Sequence, residues 1–364
     1  MSDDIRKIDR DMDFKIQRGD GMDWYSADDR PFVLDGLYWR KPGGDFRRIP
    51  EGYHISPCID QTLSYHTAGA MLRFVSDADE IRVDVKLYKN ARMDHMAGTG
   101  SMGFDLYCGR GSAKKYVGTT RFDRSLDEYC VTIFERGERE HREREFTLHF
   151  PLYSGVADFR IGLNAGASVK APSAWSDDRP IAVYGTSIQQ GGCASRPGMC
   201  HTNIMSRMLN RPFINLGFSG NGKGEAAAAE LLATVENPAM FVLDYAGNAK
   251  NAGLIATLSS FIDILRAKHP EIPILMVSMT PWKDELEQCE CTGSRMAQTM
   301  IFLEELRRRR ENGDKNIHFL DGYGLYGADP TECTVDGVHA TDLGFLMIAR
   351  RMAPVISGIL DGAE

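Results

Sequence analysis

Four short stretches in the second half of the chain hold the residue types that acyl chemistry needs. Gly185-Thr186-Ser187 follows an apolar run, Ile181 to Gly185, and sets a hydroxyl where a helical stretch begins. Free N–H groups and the helix dipole favour a developing negative charge at such a point. Asp336-Gly337-Val338-His339 places a carboxylate three residues before an imidazole. The carboxylate can fix one ring nitrogen while the other faces a serine hydroxyl. The loop from Asn215 to Gly222 has glycines that let a backbone N–H approach an oxyanion, and Asn248 in Tyr245-Ala246-Gly247-Asn248 offers a side-chain amide. Each stretch alone is weak. A loop serine is more often a cap, Asp-x-x-His recurs by chance, and Gln189 stands where a Gly-x-Ser-x-Gly elbow would end.

Their placement adds weight. From residue 178 onward, apolar runs alternate with amphipathic stretches: IAVYG (181–185), FINLG (213–217), FVLDY (241–245), ILMVSM (274–279) and IHFL (317–320), with helical patterns between them and a closing helix from about Asp342 to Leu360. That order predicts a parallel sheet with helices on both faces. Ligands of such sheets bind beyond the carboxyl ends of the strands, and all four stretches lie there, in the order Ser, Asp, His for the three reacting groups. Residues 1–172 have another rhythm. In IRVDVKLY, Ile81, Val83, Val85 and Leu87 alternate with polar residues, and similar runs occur at 71–75, 103–108, 130–134, 145–150 and 158–163. Short alternating strands between turn residues predict a β-sandwich. The Ala-, Ser- and Pro-rich segment 165–180 reads as the linker, giving domains at 1–172 and 178–364.

Composition excludes several partners. The 364 residues carry 43 Lys+Arg against 51 Asp+Glu, a net charge of −8. Nucleic acid is held largely by phosphate neutralisation and is not the expected partner. No run of 18 apolar residues suggests a membrane span, and the charged N-terminus has no signal-peptide pattern. Eight cysteines without repeating spacing read as reduced thiols, so a cytoplasmic location is expected. Cys289 and Cys291 stand too close for a usual zinc half-site.

Taken together the four blocks resemble the SGNH, or GDSL-type, hydrolases. Gly103-Phe104-Asp105-Leu106-Tyr107 is similar to the Gly-x-Asp-Leu-Tyr motif of a β-rich domain that precedes some esterases of this type. The resemblance implies a flavodoxin-like three-layer α/β/α hydrolase domain after a jelly-roll-like sandwich. It implies a serine esterase with Ser187 as nucleophile, His339 as base and Asp336 orienting it. The Ser187 and Gly220 N–H groups and the Asn248 amide would form the oxyanion hole. No metal or organic cofactor is expected. Thr186 and Ala249 stand where many members have Asp, which leaves the support of Asn248 open. Relatives with such an N-terminal domain imply acetyl esters of carbohydrates as substrates. Acyl transfer to a small-molecule acceptor is the alternative, and an inactive carbohydrate-binding protein is another. Arg196 and Trp282 are candidate substrate contacts, and His95 and Asp105 are within reach of the cleft. Oligomeric state is not readable. A competing motif, Gly217 to Gly224, nearly spells a phosphate-binding loop, but Gly224 lacks the hydroxyl that would ligate Mg²⁺.

Overall fold

The computed structural model describes residues 21–137, 142–288 and 293–362. Its first half contains β1 (Met22–Ser26), β2 (Val33–Asp35), β3 (Met71–Ser76), β4 (Glu80–Tyr88), β5 (Asp105–Cys108), β6 (Lys115–Thr119), β7 (Glu128–Glu135), β8 (Arg144–His149), β9 (Gly155–Asn164) and β10 (Val169–Lys170). They form two antiparallel sheets, β1-β9-β4-β7 and β10-β3-β8-β5-β6, with β2 added on β3. Ile81, Val83 and Val85 of β4 and Ile161 and Leu163 of β9 share one core with Leu72 and Phe74 of β3 and Phe146 and Leu148 of β8. The period-two pattern therefore marks the inner faces of a sandwich. The pattern misses β6, whose Lys115, Tyr116 and Val117 are exposed on an edge that pairs only with β5. An edge strand has little burial to impose alternation.

The second half contains β11 (Ile181–Gly185), β12 (Phe213–Gly217), β13 (Met240–Asp244), β14 (Ile274–Val277) and β15 (Ile317–Leu320) in one parallel sheet, ordered β12-β11-β13-β14-β15. Ala182, Tyr184, Leu216, Phe241, Leu243 and Met276 enter the core on one face. Ile181, Val183, Phe213, Val242 and Leu275 enter the core on the other. Helices cover both faces, which is why these strands read as continuous apolar runs. The strand order reverses beside β11, so a crevice opens above its carboxyl end. The last helix, Asp342–Leu360, is long and apolar enough to cross a membrane. It lays Phe345, Ile348, Met352 and Ile356 into the core beside the sheet, which accounts for its apolar composition.

The two halves share packing as well as a connection. Ile49, Ile59 and Leu63, from the stretch between β2 and β3, are buried in the same core as Tyr184 and Leu216. The segment predicted as a linker is itself fastened. Its Val169–Lys170 pairs with β3, Arg73 donates to the Ser173 carbonyl at 2.9 Å, and the Arg73 guanidinium lies 4.0 Å over the Trp175 ring. Cys58, Cys108, Cys193, Cys200 and Cys333 are free thiols, whereas Cys289 and Cys291 lie outside the described residues.

Candidate active site

The site starts from strand register. Gly185 pairs with Gly217 on one side and Asp244 on the other, so three strand ends stand level. A Cβ on Gly185 would meet the Asp244 carbonyl oxygen at 2.4 Å and Gln189 Oε1 at 2.6 Å, so only glycine fits this turn. The chain then enters the helix Ser187–Gln190 through a capping box. Thr186 Oγ1 accepts from the Ile188 N–H at 3.3 Å, and Gln189 Oε1 accepts from the Thr186 N–H at 2.8 Å. Thr186 and Gln189, which depart from familiar patterns, thus close the helix start that presents Ser187. The Gln189 amide also donates to Asp244 Oδ2. Burial pushes the Asp244 carboxyl up to about 8, so it holds its proton at neutral pH.

Ser187 Oγ lies 3.0 Å from His339 Nε2, and His339 Nδ1 lies 2.7 Å from Asp336 Oδ2. With its proton on Nδ1, His339 donates to Asp336 and turns the Nε2 lone pair toward Ser187. Asp336 Oδ1 accepts from the N–H groups of Val338 at 3.0 Å and His339 at 2.7 Å. Gly337, at φ +84°, makes this tight return possible. Burial alone would push the Asp336 carboxyl up. The hydrogen bonds from the His339 ring and from two backbone N–H groups outweigh it and hold the group below the usual carboxylate range.

Gly220 sits at φ +64° in the loop after β12, with open space where a side chain would be. Among the described residues, the N–H groups of Ser187 and Gly220 have no hydrogen-bond acceptor. Asn248 Nδ2 donates to the Asn221 carbonyl and lies 3.4 Å from that of Phe218. The support left open by Ala249 is therefore supplied by the neighbouring loop. All three donors border one cleft of about 450 Å³ with Ser187, His339, Lys223, Lys250, Thr280 and Trp282. Lys250 takes a non-helical φ of 58° inside the helix Ala246–Lys268, and its ammonium lies 4.3 Å from the Trp282 ring centre.

The sandwich half reaches the same loops. Arg48 is 1% exposed and donates to the carbonyls of Asn215 at 3.2 Å, Gly217 at 2.5 Å and Leu63 at 2.7 Å. Desolvation lowers its pKa to about 9, which leaves it charged at neutral pH. Gln190 Nε2 donates to His66 Nδ1 at 3.0 Å, while Gln190 Oε1 accepts from the Ser219 N–H at 2.9 Å. Tyr153 donates to the Ser187 carbonyl at 3.2 Å. Sequence reasoning missed these three supports, because nothing in the spacing of Arg48, His66 and Tyr153 relates them to residues of the other half.

Two candidate residues fall elsewhere. Arg196 is not a cleft residue: it donates to Asp105 Oδ2 at 2.7 Å and to the Tyr107 hydroxyl at 2.6 Å, and lies 4.0 Å over the Tyr116 ring. Asp105 is fully buried and also accepts from the Gly198 N–H at 2.9 Å. A buried carboxylate needs a cation, so this pair fastens the two halves together. His95 does reach the site. Its Nε2 lies 3.9 Å from Asp336 Oδ2, and its ring centre lies 5.7 Å from that of His339.

Residues 178–357 match the GDSL-like lipase/acylhydrolase family, and residues 22–169 match the N-terminus of SGNH-hydrolase-type esterases. No curated protein sequence matches the chain. Among solved structures, a GDSL-like lipase from Bacteroides ovatus superposes with a TM-score of 0.84 at 28% identity, over 93% of this chain and 98% of that one. The salicylyl-acyltransferase SsfX3 from a tetracycline biosynthetic pathway superposes with a TM-score of 0.70 at 19% identity, over 93% and 98%. A family two carbohydrate esterase from Cellvibrio japonicus follows at 0.61 and 13%, over 94% and 99%.

Proposed function

Because the chain belongs to the GDSL-like lipase/acylhydrolase family, and so to the carboxylic ester hydrolases, we propose that it removes small acyl groups, acetyl first among them, from a carbohydrate ester through an acyl-serine. Ser187 attacks the ester carbonyl while His339 Nε2 takes the hydroxyl proton. Asp336 holds the imidazole tautomer and stabilises the imidazolium. The oxyanion is received by the N–H groups of Ser187 and Gly220 and by the Asn248 amide. His339 then gives its proton to the leaving alcohol, and a water, deprotonated by the same nitrogen, releases the acid and restores Ser187. Asp244 carries its proton at neutral pH and so adds no second negative charge beside the oxyanion.

The observation that carries this reading is the hydrogen-bonded line from Ser187 Oγ through His339 to Asp336 at 3.0 and 2.7 Å, opening on a cleft that also holds two unused backbone N–H groups. Trp282 on the cleft wall gives a sugar ring an aromatic face, and the resemblance to a carbohydrate esterase supports that substrate class. The acyltransferase neighbour favours a second reading, in which an alcohol other than water accepts the acyl group.

The test is hydrolysis of p-nitrophenyl esters of increasing acyl length by wild type and Ser187→Ala, with intact mass after a serine-reactive phosphonate. Turnover of acetate that vanishes in the variant, with one adduct on Ser187, is the expected result. Ester product made from an added alcohol in preference to free acid would move the assignment to acyl transfer. Unchanged turnover in Ser187→Ala would overturn the nucleophile.

A further inference from the structure

A second cluster of donor atoms overlaps the first. His95, Cys193 and His339 each offer one ligand atom, and these three atoms lie within 4.8 Å of one another. They come from three separate parts of the chain: the loop between β4 and β5, the turn after the helix Ser187–Gln190, and the segment before the last helix. We propose that His95, Cys193 and His339 form a binding site for a thiolate-seeking divalent cation, Zn²⁺ above all, and that the bound cation switches the esterase off by taking His339 away from Ser187.

The donor set is the first argument. Two imidazoles and a thiolate suit zinc, whereas Mg²⁺ and Ca²⁺ call for oxygen ligands. The second argument is what stands behind each ring. Metal-binding histidines almost always pass their other N–H to a carboxylate or carbonyl, which fixes the tautomer and raises the basicity of the ligating nitrogen. Asp336 already does this for His339 at 2.7 Å, and Asp94 Oδ1 lies 3.3 Å from His95 Nδ1. The third argument is the backbone at Cys193. Its φ of 74° is a left-handed conformation that a non-glycine residue rarely adopts, and it holds the thiol beside the two rings.

Zinc bonds of about 2.0–2.1 Å to nitrogen and about 2.3 Å to sulfur put tetrahedral ligands roughly 3.4–3.6 Å apart. The three donor atoms must therefore close by up to about 1.4 Å. His95 is 28% exposed on its loop and is the part free to move inward. On binding, Cys193 releases its thiol proton to the buffer and the two imidazoles donate lone pairs, with no change of oxidation state. Water fills the fourth position. His339 Nε2 lies 3.0 Å from Ser187 Oγ, and a lone pair given to the cation there cannot also take the Ser187 proton. A triad histidine is thereby also a metal ligand, and the sandwich half, through His95, gains control over the hydrolase half.

Binding rests on the cluster alone, whereas inhibition rests on the triad reading, and the experiment separates the two. Co²⁺ is titrated into the full chain, with absorbance followed through the near-ultraviolet sulfur-to-cobalt charge-transfer band, for wild type, Cys193→Ser and His95→Gln. Zn²⁺ is then used to displace the cobalt, and esterase turnover is measured against free Zn²⁺ with and without EDTA. The expected result is a band in wild type that Cys193→Ser abolishes and His95→Gln weakens at least tenfold. Zn²⁺ inhibition should be reversed by EDTA and weakened at least tenfold in Cys193→Ser, whose turnover in EDTA matches wild type. The absence of a charge-transfer band, or a band that both variants leave intact, overturns the site whether or not the protein hydrolyses the test ester. A wild-type band with turnover unaffected at saturating metal overturns the switch.

Discussion

The Arg48 guanidinium, rooted in the sandwich half, donates to the carbonyl oxygen of Gly217, the last residue of β12 and the hinge of the loop that carries Gly220. The same guanidinium lies 4.6 Å over the ring of Phe218. A buried cation whose two terminal nitrogens donate to carbonyls, with one aromatic face against it, braces the loop from beneath. Arg48→Met removes three charge-assisted hydrogen bonds to the carbonyls of Asn215, Gly217 and Leu63. The expected cost is about 3 kcal/mol or more of stability, read from urea unfolding. A fall in kcat with KM little changed should accompany it, because the Gly220 N–H would lose its position.

Asn248→Ala should lower kcat on the order of 10²–10³-fold while KM moves far less. The amide is anchored on the Asn221 carbonyl, and its bond to substrate strengthens as the carbonyl oxygen gains charge. Steady-state kinetics on p-nitrophenyl acetate would show this. A variant with raised KM and intact kcat would make Asn248 a binding residue.

Asp244 sets a dependence of stability on pH. Its carboxyl titrates near 8 in the folded chain against an ordinary 3.8. Between those values the folded state keeps a proton that the unfolded state has lost, so this group makes stability fall as pH rises. Its contribution is whole below about pH 4, declines toward pH 8 and levels off beyond. Denaturant unfolding of wild type and Asp244→Asn at several values from pH 5 to 8 would test it. The variant should gain on wild type by up to about 1.4 kcal/mol per pH unit. Parallel profiles would refute the assignment.

Arg196→Ala should leave KM for small esters unchanged and cost about 3 kcal/mol of stability, because it strips the cation from the buried Asp105. Thermal unfolding beside ester kinetics would separate this fastening role from the substrate contact that the sequence suggested.

The positions of Ser187, Gly220 and Asn248 were legible because each follows the end of a strand, and strand ends can be located from apolar runs such as IAVYG, FINLG and FVLDY. Asp336 and His339 were legible because their contact is local, three residues apart. Arg48, His66 and Tyr153 were not, since their partners lie in the other half of the chain and no periodicity ties the two. Arg196 was misplaced for the same reason: a loop bordering the nucleophile was found, but only the fold shows that Asp105 lies beneath it. The sandwich was readable where both faces of a strand had different neighbours, and it was lost at the short or partly exposed strands β1, β2, β6 and β10.

The crossing contacts bear on heredity as well as on mechanics. Tyr153 holds the Ser187 carbonyl, His66 holds Gln190, and Arg48 holds the end of β12. A recombination that joined the hydrolase half to another partner at residues 172–178 would keep every reacting group and lose the braces that aim them. The two halves must therefore be inherited together, and a substitution in the sandwich that touches no substrate becomes subject to selection for catalysis.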